Sequence, residues 1–252
     1  MKCRTLLCAV LVLALMLALT GCPAEAPATT AVPATTAAPA TTAAPETTAA
    51  PATTAAPETT AAPDNGPLDM TKVRAEIDSR KVEDFERSDR PTNYVLISVK
   101  DFGELVVRLR PDVAPITVSN FQALVARGYY NETTFHRVFP GFMIQGGAGR
   151  EALLPIKGEF SANGVDNPLL HIRGVLSMAR TKVMDSATSQ FFLMHADYPS
   201  LNGNYAAFGY IVAGLDTVDR ICEIELGVND YQERSVPLTD VIIESAEFVK
   251  PR

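Results

Sequence analysis

The stretch FHRVFPGFMIQGG runs from Phe135 to Gly147 and carries the strongest folding pattern in the chain. Pro140 and Gly141 divide it into two runs of aromatic and aliphatic residues, each too short for a typical helix and rich in residues that suit a pleated surface. This pattern predicts strands over Thr134–Phe139 and Phe142–Gly146. Side chains two apart on a strand share a face. Phe135 and Arg137 are therefore expected to point one way, His136 to point inward, and Met143 and Gln145 to share a face of the next strand. The run carries a cation and an amide between apolar walls, with no cysteine, aspartate or glutamate. It suits chemistry that needs hydrogen-bond donors and a greasy surface but no nucleophile.

Downstream, Ser189-Gln190-Phe191-Phe192-Leu193 repeats the arrangement. Gln190 and Phe192 fall on one face, Phe191 and Leu193 on the other. Two strands thus each present an amide beside a large apolar side chain. Upstream, Val95, Ile97 and Val99 alternate, Asp101-Phe102-Gly103 turns the chain, and Leu105, Val107 and Leu109 alternate again, a hairpin pattern. Pro115 to Arg127 reads as a helix: Pro115 suits a first turn, Val118, Phe121, Leu124 and Val125 form one stripe, and Gly128 can close the end. Further strands are expected at Gly174–Ala179, Gln190–His195, Ala206–Val212 and Val241–Phe248, with a second helix over Gly214–Glu223. Many short strands and two helices read as a mainly β fold, a closed barrel capped at its ends.

The chain divides into four segments. Residues 1–21 begin with Lys2 and Arg4, continue through an apolar run from Leu6 to Leu19, and end in small residues, as secretory signals do. Leu19-Thr20-Gly21-Cys22 resembles the lipobox of bacterial lipoproteins, in which the cysteine is lipidated. That resemblance implies a protein anchored to a bacterial cell membrane, on its extracytoplasmic side, through lipid on Cys22. Residues 22–66 are almost wholly Ala, Pro, Thr and Glu, with TTAAPA and TTAAPE recurring. Such a composition cannot bury a core and is expected to stay disordered; its ~40 residues could span ~120 Å at ~3.1 Å each if fully extended. Residues 67–91 form a charged extension in which Met70, Val73 and Ile77 have helical spacing, compatible with a short helix or a frayed segment. Residues 92–250 then make one domain of about 160 residues. Of the four cysteines, Cys3 and Cys8 lie in the signal, Cys22 carries lipid, and Cys222 is left unpaired in a helix core. The net charge of −7 argues against nucleic acid as a partner.

From Thr92 to Phe248 the sequence resembles the cyclophilins, peptidyl-prolyl cis-trans isomerases. The resemblance rests on Pro115-Ile116-Thr117-Val118-Ser119-Asn120-Phe121, the opening stretch Phe135 to Gly147, Leu176-Ser177-Met178-Ala179, Ser189-Gln190-Phe191-Phe192 and Leu201-Asn202-Gly203-Asn204-Tyr205-Ala206-Ala207-Phe208-Gly209, all in the family's order. It implies an eight-stranded antiparallel barrel capped by two helices. It implies an isomerase of X-Pro bonds acting without cofactor or metal on proline-containing peptides and unfolded exported proteins, as a monomer. By the same resemblance Arg137 is the catalytic donor and Gln145 orients it. Phe142, Met143, Phe192 and Leu201 hold the proline ring, and Ala179, Arg180, Gln190 and Tyr205 line the groove, Ala179 and Arg180 partly through their backbone. The sequence departs from the family at Ser200, where an aromatic residue is common, at Tyr205, where histidine is common, and at Ala148 to Pro155, which replace a glycine-rich loop.

A non-catalytic proline-peptide-binding module or holdase chaperone would keep the pocket without turnover, which the presence of Arg137 argues against. A hydrolase finds no Gly-x-Ser-x-Gly elbow. The histidines, His136, His171 and His195, lie on separate segments without paired metal-ligand spacing.

Overall fold

The computed structural model describes residues 68–149 and 151–252. The expected signal segment, Cys22 and the expected disordered linker lie outside the described residues. In chain order the strands are β1 (Phe85–Arg87), β2 (Tyr94–Val99), β3 (Gly103–Leu109), β4 (Thr133–Phe139), β5 (Met143–Gly146), β6 (Val175–Met178), β7 (Phe191–Met194), β8 (Ala207–Ala213), β9 (Leu226–Val228), β10 (Arg234–Pro237) and β11 (Ile242–Pro251). Eight of them pair antiparallel in the order β11-β2-β3-β8-β6-β7-β5-β4. Ile242 and Ile243 of β11 then pair with Thr134 and Thr133 of β4, closing the ring. The helices are α1 (Met70–Glu76), α2 (Pro115–Ala126) and α3 (Leu215–Cys222). The eight-stranded closed barrel with α2 and α3 is the fold expected from the sequence; among the described residues α1 adds a short helix in the charged extension, and a separate β9–β10 ribbon was not expected.

Alternation builds the barrel. Val95, Ile97 and Val99 of β2 and Leu105, Val107 and Leu109 of β3 point into one buried core together with Phe121 and Leu124 of α2. At the β2–β3 turn, Asp101 and Gly103 take left-handed φ values of 65° and 104°, a conformation Asp and Gly tolerate well. Two features close α2. At its C-terminus Gly128 (φ 66°) donates to the Val125 carbonyl and Tyr129 to that of Leu124, satisfying orphan acceptors. At its N-terminus Ala114 has no side chain able to cap. Glu159, only 2% exposed, reaches over from a distant loop instead: its carboxylate accepts from the N–H groups of Ile116 (3.0 Å) and Thr117 (2.7 Å) and from the Thr117 hydroxyl (2.7 Å).

The charged extension packs on the barrel. β1 pairs with the outer edge of β11. Val73 and Phe85 are buried in a second apolar cluster, outside the barrel, with Leu96, Val106 and Val249. Glu76 accepts two bonds from Arg108 Nη1 (2.6 and 2.7 Å) and one from the Tyr210 hydroxyl (2.6 Å). Asp78 accepts from the Leu215 N–H at the start of α3. Gly214, just before α3, has φ 78°, and a Cβ there would run into the Glu104 carbonyl oxygen. Cys222 is free and buried, and burial pushes its thiol up to about 12, which keeps it protonated and unreactive at neutral pH.

Candidate active site

The site lies on the outer face of the barrel, where β4, β5, β7 and β6 run side by side. Arg137 stands opposite Gln145, Gln145 opposite Phe192, and Phe192 opposite Ser177. One row across four strands therefore carries a guanidinium, an amide, a phenyl ring and a hydroxyl. Met143 and Gln145 share this face, as do Gln190 and Phe192, while Phe191 and Leu193 point into the barrel core.

The expectation that Phe135 and Arg137 share a face is corrected by the structure. The register of β4 against β5 shifts between these two residues. His136 is the extra residue of a bulge, and a bulge resets the alternation. Phe135 consequently packs inside against Phe191 (5.9 Å between ring centroids), whereas Arg137 points outward. His136, expected to point inward, is exposed. Glycine is required where the strand returns: a Cβ on Gly146 would stand 2.8 Å from both Phe135 Cδ1 and the Thr134 carbonyl oxygen.

The apolar part of the site is a patch. Met143 and Phe192 are 2% and 5% exposed. Phe142, Leu201, Tyr205 and Ala179 are partly buried against the same cluster. The Tyr205 ring meets Phe192 edge-on at 5.8 Å. The ring of Tyr198 lies 4.4 Å from that of Phe142, while Ser200 is exposed on the same turn. An aromatic ring thus borders the patch from position 198, in a segment whose position 200 lacks one.

The polar part is tied by specific bonds. Gln145 Nε2 donates to Gln190 Oε1 (3.0 Å), and the Ala179 N–H donates to the Gln190 carbonyl (2.9 Å). Arg180, expected to act partly through its backbone, has its guanidinium between the rings of Phe160 (4.9 Å) and Tyr205 (4.7 Å), where Nε and Nη2 donate to the Asn204 carbonyl. The Arg137 guanidinium makes no hydrogen bond to the Gln145 side chain among the described residues. Its Nε and Nη2 instead donate to the two carboxylate oxygens of Glu233, at 2.9 and 2.7 Å. Hydrogen bonding from Arg137 holds the Glu233 carboxyl below its ordinary range. This leaves the other edge of the guanidinium, Nη1 with the outer N–H of Nη2, without a hydrogen-bond partner among the described residues.

His171 supports the patch from within. Its ring lies nearly parallel to Phe192 at 6.0 Å, Nε2 is 2.9 Å from the Ser177 hydroxyl, and Nδ1 is 3.2 Å from Asn202 Oδ1. Asn202 Oδ1 can only accept, so the proton sits on Nδ1 and Nε2 accepts from Ser177. Burial pulls the His171 pKa down to about 4. An unfolded chain protonates this histidine below pH ~6.5 while the folded one resists until about 4, so the unfolded state binds more protons in that window and stability falls with falling pH. At 1.36 kcal/mol per unit, the expected loss between pH 7 and pH 4 is about 3 kcal/mol. Urea unfolding checks this: His171→Gln should flatten the dependence, and an unchanged slope would show that another group is responsible.

Glu233, His171 and Tyr198 were not singled out for the site by sequence reasoning. The only signal for Glu233 was the turn pair Asn229-Asp230 between Val228 and Val236, which marks a ribbon without saying what it touches.

Comparison with known proteins agrees with this fold. Residues 94–248 match the family described as cyclophilin-type peptidyl-prolyl cis-trans isomerase. Peptidyl-prolyl cis-trans isomerase A of Dickeya dadantii is 40% identical over 160 residues, covering 59% of this chain and 80% of the relative. Peptidyl-prolyl cis-trans isomerase B of Escherichia coli is 40% identical over 157 residues, covering 57% and 92%. A crystal structure of a Cryptosporidium parvum cyclophilin-type isomerase, in the presence of the dipeptide Ala-Pro, superposes with a TM-score of 0.52 at 30% identity, covering 62% of this chain and 98% of that one.

Proposed function

This chain belongs to the cyclophilin-type peptidyl-prolyl cis-trans isomerases, and we propose that Arg137 is the group through which it isomerises X-Pro bonds. The obstacle is amide resonance, a barrier of ~18–20 kcal/mol. Twisting the bond makes the proline nitrogen pyramidal and gives it a lone pair. A donor aimed at that nitrogen stabilises the twisted form above either planar form, and only such differential binding accelerates the step. Each ~1.4 kcal/mol gives a tenfold gain in rate. The observation that carries this reading is the orientation of Arg137: one edge is held by Glu233 and the other is left as a fixed donor pair.

In this reading Phe142, Met143, Phe192 and Leu201 receive the proline ring. Gln145, through its bond to Gln190, fixes the floor beside it. Ala179, Arg180, Gln190 and Tyr205 line the continuing groove, with the Arg180 guanidinium bracing Tyr205. That the Cryptosporidium parvum relative was crystallised in the presence of Ala-Pro supports a proline-containing substrate.

The cellular setting belongs to the same proposal. We place the isomerase outside the cytoplasm, tethered through lipid on Cys22, with the Ala/Pro/Thr/Glu segment as a spacer toward unfolded exported clients. The sequence Leu19-Thr20-Gly21-Cys22 supports this reading. Cys22→Ser should move the protein from the membrane fraction to the soluble fraction while leaving turnover on a soluble peptide unchanged. Equal membrane retention of both forms would overturn the anchor.

A further inference from the structure

We infer that Glu233 is a positioning residue for catalysis: its carboxylate sets the plane and reach of the Arg137 guanidinium. The inference rests on Arg137 being the catalytic donor.

The carboxylate is itself built into place. Glu233 ends the loop between β9 and β10. Asn229 Oδ1 accepts from the N–H groups of Tyr231 and Glu233, both at 2.9 Å, which fixes the course of the loop. Asn229 Nδ2 (3.1 Å) and the hydroxyl of Ser235 (3.0 Å) both donate to Glu233 Oε2, and Ser235 is fully buried. Oε2 also accepts from Arg137 Nε, while Oε1 accepts from Arg137 Nη2. A surface ion pair between two mobile side chains fixes little. Here one partner is held by bonds of its own from Asn229 and Ser235, and the fork-on-fork geometry dictates orientation as well as distance. Arg137 needs such a partner because it stands on a strand with its side chain 34% exposed, and the neighbouring Gln145 amide donates to Gln190.

The choice of edge matters. Carboxylate bonds to Nε and Nη2 leave the Nη1–Nη2 edge for substrate, so Glu233 does not compete for the donors that a twisted amide would use. Losing the clamp leaves the charge in the groove and removes its aim. Misplacing a catalytic group by ~1 Å can cost up to ~10²-fold; a guanidinium that still samples the right pose should lose less.

The test is a double-mutant cycle on the full chain, with kcat and KM measured on an Ala-Pro-containing peptide for wild type, Glu233→Ala, Arg137→Ala and the double variant. Glu233→Ala should lower kcat about tenfold, within that misplacement scale, and leave KM within about twofold. Added to Arg137→Ala, it should change kcat by less than about twofold, because a clamp with nothing to hold contributes nothing. A purely structural residue would cost the same factor in both backgrounds, and that outcome overturns the inference. So does a wild-type or raised kcat for Glu233→Ala, the latter being the mark of a carboxylate that competes with substrate. If Glu233→Ala fails to fold, the same cycle is run with Glu233→Gln, which preserves shape and weakens the bidentate pair; a smaller loss, again confined to the Arg137 background, is expected. An Arg137→Ala variant with undiminished kcat would instead remove the premise.

Discussion

Replacing Arg137 by alanine should lower turnover on an X-Pro peptide about a hundredfold, or ~3 kcal/mol, the scale of deleting one preorganised donor from an active site. The size of the effect follows from what the site contains. The rest of the row across β4, β5, β7 and β6 is an amide already donating to Gln190, a phenyl ring and a serine already bonded to His171. Among these described side chains only the guanidinium is a cation, and none is bonded so as to replace it. The fold should tolerate the change. The Arg137 side chain is 34% exposed, and Glu233 would keep its bonds from Asn229 and Ser235. Arg137→Lys should restore little, because an ammonium keeps the charge without the planar fork that lets one edge grip a carboxylate and the other face substrate. Turnover within twofold of wild type, in a variant with an unchanged unfolding midpoint, would contradict the mechanism.

The second large effect concerns stability. Glu159→Ala should destabilise the fold by about 3 kcal/mol, since hydrogen bonds to a charged group contribute ~1.5–3 kcal/mol each and are not additive. Three donors would lose their acceptor at once, including two N–H groups of the first turn of α2. Ala114 offers no substitute, and no acidic residue lies in the first turn of the helix. Because α2 contributes Phe121, which meets Phe191 at 5.6 Å and Phe208 at 5.2 Å, loosening its N-terminus reaches the barrel core. Against a typical stability of ~5–15 kcal/mol this is a large fraction. Glu159→Gln, which keeps one acceptor oxygen, should cost less. Urea unfolding decides it: a loss below ~0.5 kcal/mol for Glu159→Ala would show that the carboxylate is not the cap of α2.

Much of the barrel was legible because a strand with one face in a core writes its period into the sequence. Val95 to Val99 and Leu105 to Leu109 alternate, and those residues line the interior. The same rule failed at His136, since a single extra residue in one strand leaves composition unchanged and reverses every face beyond it. The charged extension was only half legible. Val73 shows helical spacing, but the partners that fasten α1, Arg108 and Tyr210, lie far along the chain. The caps of α2 and α3 come from Glu159 and Asp78, outside the local windows in which capping is recognised. Arg137 was legible through the motif around it. Glu233 was not, because 96 residues separate the pair and only the closed barrel brings the β9–β10 ribbon to the arginine.

Whether this groove twists X-Pro bonds or merely holds proline peptides is decided by NMR exchange spectroscopy on an Ala-Pro-containing peptide at equilibrium with the chain. Uncatalysed isomerisation takes tens to hundreds of seconds, so the cis and trans resonances do not exchange on the timescale of the experiment. A substoichiometric amount of the wild-type chain should produce exchange cross-peaks between them, and Arg137→Ala at the same concentration should nearly abolish these cross-peaks. Peptide resonances that shift on binding, while cis and trans remain unconnected even with excess wild-type chain, would contradict the account.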